Sequence, residues 1–280
     1  LLCSCGAKEE YYIDNNTLDI DTIVSEEKTW LSAIYKSVKV IPLDNSEIVL
    51  SDIVKMQVSN NFIYVLDKTQ QLYMFNNEGL FLRKIGNKGG GLGEYTDISD
   101  FTIDYDRGYI YALEFRAQAI YTYNLLTGNF IGSTRLNNEN YISRHLQYNS
   151  QCLFTDLYAK KQGGKKYLLR KIDLSEQYRE DFFLDSEKWN LGWNQFSGTS
   201  PFYPADHNGF YFIPLFSNVI FEVKKEQISP AFSIKSKNLI NRQTILKEYF
   251  KEGYLSSSSE VQLNFSEDMN PILLYYSYKH

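Results

Sequence analysis

A short strand-like segment returns along the chain at a nearly constant interval: Leu72-Tyr73-Met74-Phe75, Ile120-Tyr121-Thr122-Tyr123, a weaker Leu169-Arg170-Lys171-Ile172, and Ile220-Phe221-Glu222-Val223. The interval is roughly 50 residues, the length of one four-stranded propeller blade. Such a beat restricts the fold more than any single motif, because each unit must lay its apolar face on the next one.

The grammar inside each repeat is the same. In the first, Ile53 to Val58 reads as an inner strand, Ser59-Asn60-Asn61 as a turn and Phe62 to Asp67 as the return. Lys68 to Gln71 turns the chain again, Leu72 to Asn76 runs outward, Asn77-Glu78-Gly79 makes the third turn, and Leu80 to Ile85 is the outer strand. The turn residues are those that tolerate or favour turn backbone. The second repeat copies this with Ile98 to Ile103, Tyr109 to Glu114, Ile120 to Asn124 and Asn129 to Ser133. A third runs from about Tyr141 to Phe183. A fourth runs from about Phe196 to Ile234, with Phe210-Tyr211-Phe212-Ile213 in its second-strand slot.

Beyond it the beat fails. The apolar spacing of Leu239, Ile240, Ile245, Leu246, Tyr249 and Phe250 predicts a short helical insertion near 238–252. Val261 to Phe265 and Ile272 to Tyr278 then restart a blade and supply two strands of it. Closing a ring requires pairing the last blade with the first, and Val38 to Leu43 is the strand expected to do so. The expected class is an all-β propeller of four-stranded antiparallel blades, about five of them visible, spanning 31–280 and incomplete at the C-terminus.

Composition agrees: the chain has 280 residues, 23 Tyr and 18 Phe, a bias toward side chains that fit pleated, half-buried surfaces. A net charge of −5 argues against nucleic acid, whose phosphates attract clustered cations. Lys160, Lys161, Lys165 and Lys166 do cluster, but around Gly163-Gly164, as at a solvated hairpin tip. No run of eighteen apolar residues exists to span a bilayer. The chain starts Leu1-Leu2-Cys3-Ser4-Cys5-Gly6, and a Leu at −3, a small residue at −1 and then Cys resembles the lipobox of bacterial lipoproteins. On that resemblance residues 1–5 end a signal peptide, Cys5 carries the lipid, and 6–30 form a linker and N-terminal segment. The domain would then lie outside the cytoplasm, at the outer membrane or cell surface, touching the membrane only through its anchor. The alternative is a Cys3/Cys5 metal or disulfide pair; zinc would need two further ligands, and the remaining Cys is Cys152.

Leu31-Ser32-Ala33-Ile34, Ile41-Pro42-Leu43, Phe62 to Asp67, Phe75-Asn76-Asn77-Glu78-Gly79 and Gly89-Gly90-Gly91-Leu92-Gly93-Glu94-Tyr95 together resemble the six-bladed β-propeller lipoproteins of Gram-negative envelopes, relatives of the NHL-repeat propellers. The resemblance begins near residue 31 and is strongest through residue 130. Its glycine segment has Leu92 where that family usually has Pro. It implies six blades and an envelope location.

The glycine run does not fit a phosphate loop, which needs Lys followed by Ser or Thr; here Glu94-Tyr95 follows Gly93. It reads as a blade-to-blade crossover, or as a rim loop offering Glu94 and Tyr95 to a ligand. Asp104-Tyr105-Asp106-Arg107-Gly108 spells half of a calcium loop, but the repeat register makes it a hairpin turn. His145, His207 and His280 have no ligand spacing, so neither a metal centre nor a cofactor is expected.

Propellers present ligands at the mouth of the channel lined by inner strands. Position therefore nominates Lys55 and Gln57, Asp100 and Thr102, Arg144 with His145 and Gln147, and Gln262 and Asn264. Trp193, beside Trp189, Phe196, Asn190 and Asn194, suits sugar stacking or edge coverage. The leading expectation is a lipid-anchored envelope propeller that binds a glycan or a protein partner. A second is a hydrolase or lyase on a carbohydrate or lactone, with Asp100 and Glu94, or a carboxylate and His145, as acid and base. A third is a structural ring without a site.

Overall fold

The computed structural model describes residues 16–23, 36–44, 46–59, 61–136, 141–159, 166–174, 179–185, 200–205, 209–214, 217–224, 227–236, 250–251 and 254–255. Strand β1 (Thr17–Asp19) leads into a single helical turn, α1 (Ile20–Ile23). The first blade follows as β2 (Ile53–Val58), β3 (Phe62–Asp67), β4 (Leu72–Asn76) and β5 (Phe81–Ile85). The second is β6 (Ile98–Asp104), β7 (Tyr109–Glu114), β8 (Ala119–Asn124) and β9 (Phe130–Arg135). The third region holds β10 (Tyr141–Ile142), β11 (Leu146–Asn149), β12 (Cys152–Asp156), β13 (Tyr158–Ala159), β14 (Lys166–Asp173) and β15 (Arg179–Asp185). Then come β16 (Phe202–Pro204), β17 (Gly209–Phe212), β18 (Val219–Lys224) and β19 (Gln227–Lys235), and a last ladder of β20 (Phe250–Lys251) with β21 (Tyr254–Leu255). The sheets run β2-β3-β4-β5, β6-β7-β8-β9 and β11-β12-β14-β15, antiparallel in every pairing whose register is resolved. This is the all-β, four-stranded-blade architecture that the repeat predicts.

The chain divides into two compact units, one of Lys28–Leu157 with Leu169–Asp181, the other of Leu1–Glu27, Tyr158–Leu168 and Phe182–His280. In the first, alternation along each strand sends successive side chains to opposite faces of the blade. Tyr64, Leu66, Leu72 and Met74 of the first blade pack against Phe101, Ile103, Ile110 and Tyr123 of the second. On its other face the second blade sets Tyr111, Leu113 and Ile120 against Leu146, Leu153 and Ile172 of the third. The inner strands β2 and β6 bulge at the same place, at Ile53/Lys55 and Ile98/Asp100, so the two repeats share their irregularities as well as their ladders. The exposed outer strands carry Arg83 and Lys84 on β5 and Arg135 on β9, cations that discourage edge-to-edge pairing.

Three expectations need correction. Val38–Leu43 is not a strand; Ile41 and Leu43 instead pack onto the face of the first blade formed by Ile63, Val65, Tyr73 and Phe75. There the Asp44 N–H donates to the Gly79 carbonyl at 2.8 Å, and a Cβ on Gly79 would lie 2.0 Å from the Pro42 oxygen. The strand lent to a later sheet comes from the segment read as linker: in the other unit β1 pairs in parallel with β19, Thr17 opposite Ser233, extending β19-β18-β17-β16. At the C-terminal side, Phe250–Lys251 is a strand where the helical insertion was expected to end. The rest of that insertion, and the restarted blade from Val261, lie outside the described residues.

Candidate functional site

The inner edges of the first three blades carry most of the residues nominated by position. Lys55, at the bulge of β2, reaches across to the next blade and donates from Nζ to Asp100 Oδ1 at 2.7 Å. The ammonium is partly exposed while Asp100 is buried, and the Lys55 nitrogen also lies over the Phe101 ring at 5.7 Å. The same Oδ1 accepts the Phe101 N–H at 2.8 Å, and Oδ2 accepts the Leu146 N–H of the third blade at 2.8 Å. One carboxylate therefore links three consecutive blades, and these donors hold it as an acceptor. Thr102 adds a second tie by accepting the Tyr148 N–H at 3.1 Å. Gln57 is half-buried beside Lys55 on the same inner strand, and Gln147 donates to the Tyr148 carbonyl at 2.9 Å.

Arg144 sits just ahead of β11 with its guanidinium 5.4 Å from the Phe115 ring, while its carbonyl accepts from Ser99 Oγ at 2.8 Å. His145 is buried. Its Nδ1 meets Asp156 Oδ2 at 2.5 Å, and Asp156 Oδ1 accepts both the Arg144 and His145 N–H groups at 2.8 Å. The carboxylate-plus-His145 arrangement of the enzyme expectation is thus present as a contact, but within the packed interior, where Asp156 holds backbone.

Sequence reading missed that this is a recurring device. The second strand of each of these blades ends in a buried acid, Asp67, Glu114 and Asp156. Asp67 accepts the N–H groups of Ser51 and Gln71, and Glu114 those of Thr96, Asp97 and Ala117. Each acid ties the approach to its own inner strand, and the first two also tie the turn that follows. The signal in the sequence is an acid closing an apolar strand, easily passed over because Asp and Glu alternate in the role.

The glycine crossover folds upon its own carboxylate. Glu94 Oε2 accepts the Gly91 N–H at 2.8 Å, and a Cβ on Gly89 would stand 2.0 Å from that oxygen. Gly93 is left-handed, with φ +77°, and a Cβ there would lie 2.4 Å from the Phe130 ring. Tyr95, expected at the rim, is core: it is 1% exposed and its hydroxyl accepts from Gln71 Nε2 at 2.6 Å. Burial pushes its phenol well above the ordinary range, as it does for Tyr123, whose hydroxyl donates to the Gly93 carbonyl at 3.0 Å. Asp104 closes the expected hairpin turn by accepting the Arg107 N–H at 2.9 Å, with Gly108 left-handed at φ +70°. Its other oxygen is buried and 3.8 Å from Arg107 Nε. Cys5 and Trp193 lie outside the described residues.

Four-stranded antiparallel blades that repeat in sequence, with the Asp100 carboxylate tying three inner strands together, define a propeller-type protein. Residues 15–280 match the family described as a domain of unknown function, DUF4934, and the chain belongs to that family. A search of curated proteins finds no match. Among solved structures, a Bacteroides fragilis protein inferred to be exported aligns at 21% identity and TM-score 0.63, over 81% of this chain and 63% of its own. A DUF4221 family member from Bacteroides vulgatus aligns at 12% identity and TM-score 0.52, over 72% and 62%. The chain thus spans less than two thirds of the length of either solved relative.

Proposed function

We propose that this chain forms part of an extracytoplasmic propeller, lipid-anchored through Cys5 at the cell envelope, that acts as a binding or scaffold module for a glycan or a protein partner. The observation that carries this reading is the occupation of the acids that the enzyme expectation would use. Asp100 receives Lys55 and two backbone N–H groups, Asp156 receives two N–H groups and His145, and Glu94 receives its own loop. Acid–base catalysis by carboxylates needs a group that can exchange a proton with a substrate within reach. Carboxylates held in this way serve as fixed struts, which suits recognition better than turnover. Location is supported by the lipobox-like start and by the exported relative from Bacteroides fragilis.

Expression of the whole gene with labelled palmitate, and of Cys5→Ser beside it, tests the anchor; label in the wild type and its loss in the variant are expected. Glycan arrays and binding to purified envelope proteins test the module. Saturable binding without turnover is expected, weakened by Lys55→Ala with Gln57→Ala. Multiple-turnover cleavage of an arrayed glycan or a lactone would contradict it.

A further inference from the structure

The register of the strands allows the interface between the first and second blades to be laid over the interface between the second and third. Tyr64 opposes Met74 as Tyr111 opposes Thr122, and Leu72 opposes Ile85 as Ile120 opposes Thr134. On the facing blade Ile110 opposes Tyr123 as Leu153 opposes Ile172. The turns agree as well: Leu125 N–H donates to the Gly108 carbonyl, and Leu174 N–H to the Gln151 carbonyl.

Position for position, then, Met74, Ile85 and Tyr123 at the first interface become Thr122, Thr134 and Ile172 at the second. Three large groups have been replaced by smaller ones, and two of the replacements carry hydroxyls. At the first interface these groups are buried and packed in one cluster. At the second the same positions, with Thr122 half-buried and Thr134 exposed, line an open cleft of about 150 Å³. Asp173, which follows Ile172, stands on its wall where the first interface has Asn124. Simple loss of packing would be expected to leave an apolar void, which stays dry and costs stability. Here a wall keeps Tyr111 and apolar Ile172 and Leu174, while two hydroxyls and a carboxylate have been brought to the same space.

We propose that this interblade cleft is a binding site for a neutral hydroxyl-rich ligand with one C–H face, of the size of a single pyranose residue. The inference rests on the binding-module reading above and gives that reading a second site, away from the inner edge. Threonine hydroxyls both donate and accept, whereas a carboxylate only accepts. A sugar hydroxyl supplies both functions to Thr122 and Thr134 and a donor to Asp173, and its C–H face covers Ile172 and Leu174 beside the Tyr111 ring. An ammonium ligand would serve Asp173 but offers no acceptor to the threonines.

The test copies the first interface into the second: Thr122→Met with Thr134→Ile fills the space with the side chains that already pack at the equivalent positions. Saturation-transfer NMR and calorimetry are run with glucose, galactose, mannose and N-acetylglucosamine, and with cyclohexylamine as the cationic comparison. Saturable binding of at least one sugar by the wild type is expected, at least tenfold weaker in T122M/T134I. A melting temperature equal to or above the wild type's shows that the variant has folded. Sugar binding that survives T122M/T134I but falls in the Lys55/Gln57 variant overturns this site and leaves the inner-edge reading standing. Binding of no sugar, or preference for cyclohexylamine, overturns it as well.

Discussion

The second blade packs an apolar cluster against each neighbour, but its face toward the third also borders an open cleft. Toward the first blade it offers Phe101, Ile103, Ile110 and Tyr123, all buried against large groups such as Met74 and Ile85. Toward the third it offers Tyr111, Ile120, Thr122 and Thr134, and the cleft opens between them and Leu153 and Ile172. The ladders on both sides are alike, but side-chain volume falls at three matched positions, and Thr134 is exposed where its counterpart Ile85 is fully buried. A repeat protein can therefore keep one packing plan and still vary the chemistry of individual interfaces, because each blade touches only its neighbours.

The largest expected effects come from breaking the filled interface. Phe101→Ala removes a fully buried ring and should destabilise the chain by about 3–5 kcal/mol in urea unfolding. Ile172→Ala, beside space that is already open, has fewer contacts to lose and should fall near the low end of the range for such truncations, about 2 kcal/mol. Equal losses would mean that the two interfaces are packed alike.

Next in size is the strut that spans all three blades. Asp100→Ala leaves the Leu146 N–H without its acceptor and Lys55 without its partner, and should cost about 2–3 kcal/mol. Lys55→Met leaves the buried Asp100 carboxylate with its two backbone donors but without its counter-charge, and should cost less than Asp100→Ala, which also strands the Leu146 N–H.

A smaller contrast is expected at alkaline pH. Burial raises the phenols of Tyr64, Tyr95 and Tyr123 at the first interface, and pushes Tyr111 up to about 12 at the second, with the Asp104 charge adding to burial there. A phenol whose folded pKa exceeds its unfolded value favours the folded state while protonated. Its contribution is complete below about pH 10, where the unfolded tyrosine titrates, and is lost as pH rises through the folded value. Stability should decline from about pH 10 upward, and Tyr123→Phe should flatten that decline more than Tyr111→Phe. A profile level to pH 12 in the wild type would remove the premise.

The blades themselves were legible in the sequence because strand alternation and turn chemistry are local properties. Ile53–Val58, Phe62–Asp67, Leu72–Asn76 and Tyr109–Glu114 fall where the repeat places them. The lent strand was not legible: Val38 to Leu43 looks like a better strand than Thr17–Asp19, but its Ile41 and Leu43 serve the apolar face of the first blade. Tyr95 was misplaced at the rim because its neighbour Glu94 is polar, while the structure turns the ring inward onto Gln71. Lys55 and Asp100 were nominated by position on the inner strands and Arg144 just ahead of one, but their partners are set by the step from one blade to the next, which sequence spacing does not report. The cleft depends on pairing register, so Thr122 and Thr134 became informative only when set beside Met74 and Ile85.

The thermal unfolding midpoint of T122M/T134I, measured without ligand, tests most directly whether the two interfaces differ by unfilled space. The midpoint should equal the wild type's or exceed it, because the added side chains occupy the cleft and repeat a packing already used one blade away. A midpoint several degrees lower would show that the second interface has no room for them, and the contrast between the two faces of the second blade would fall.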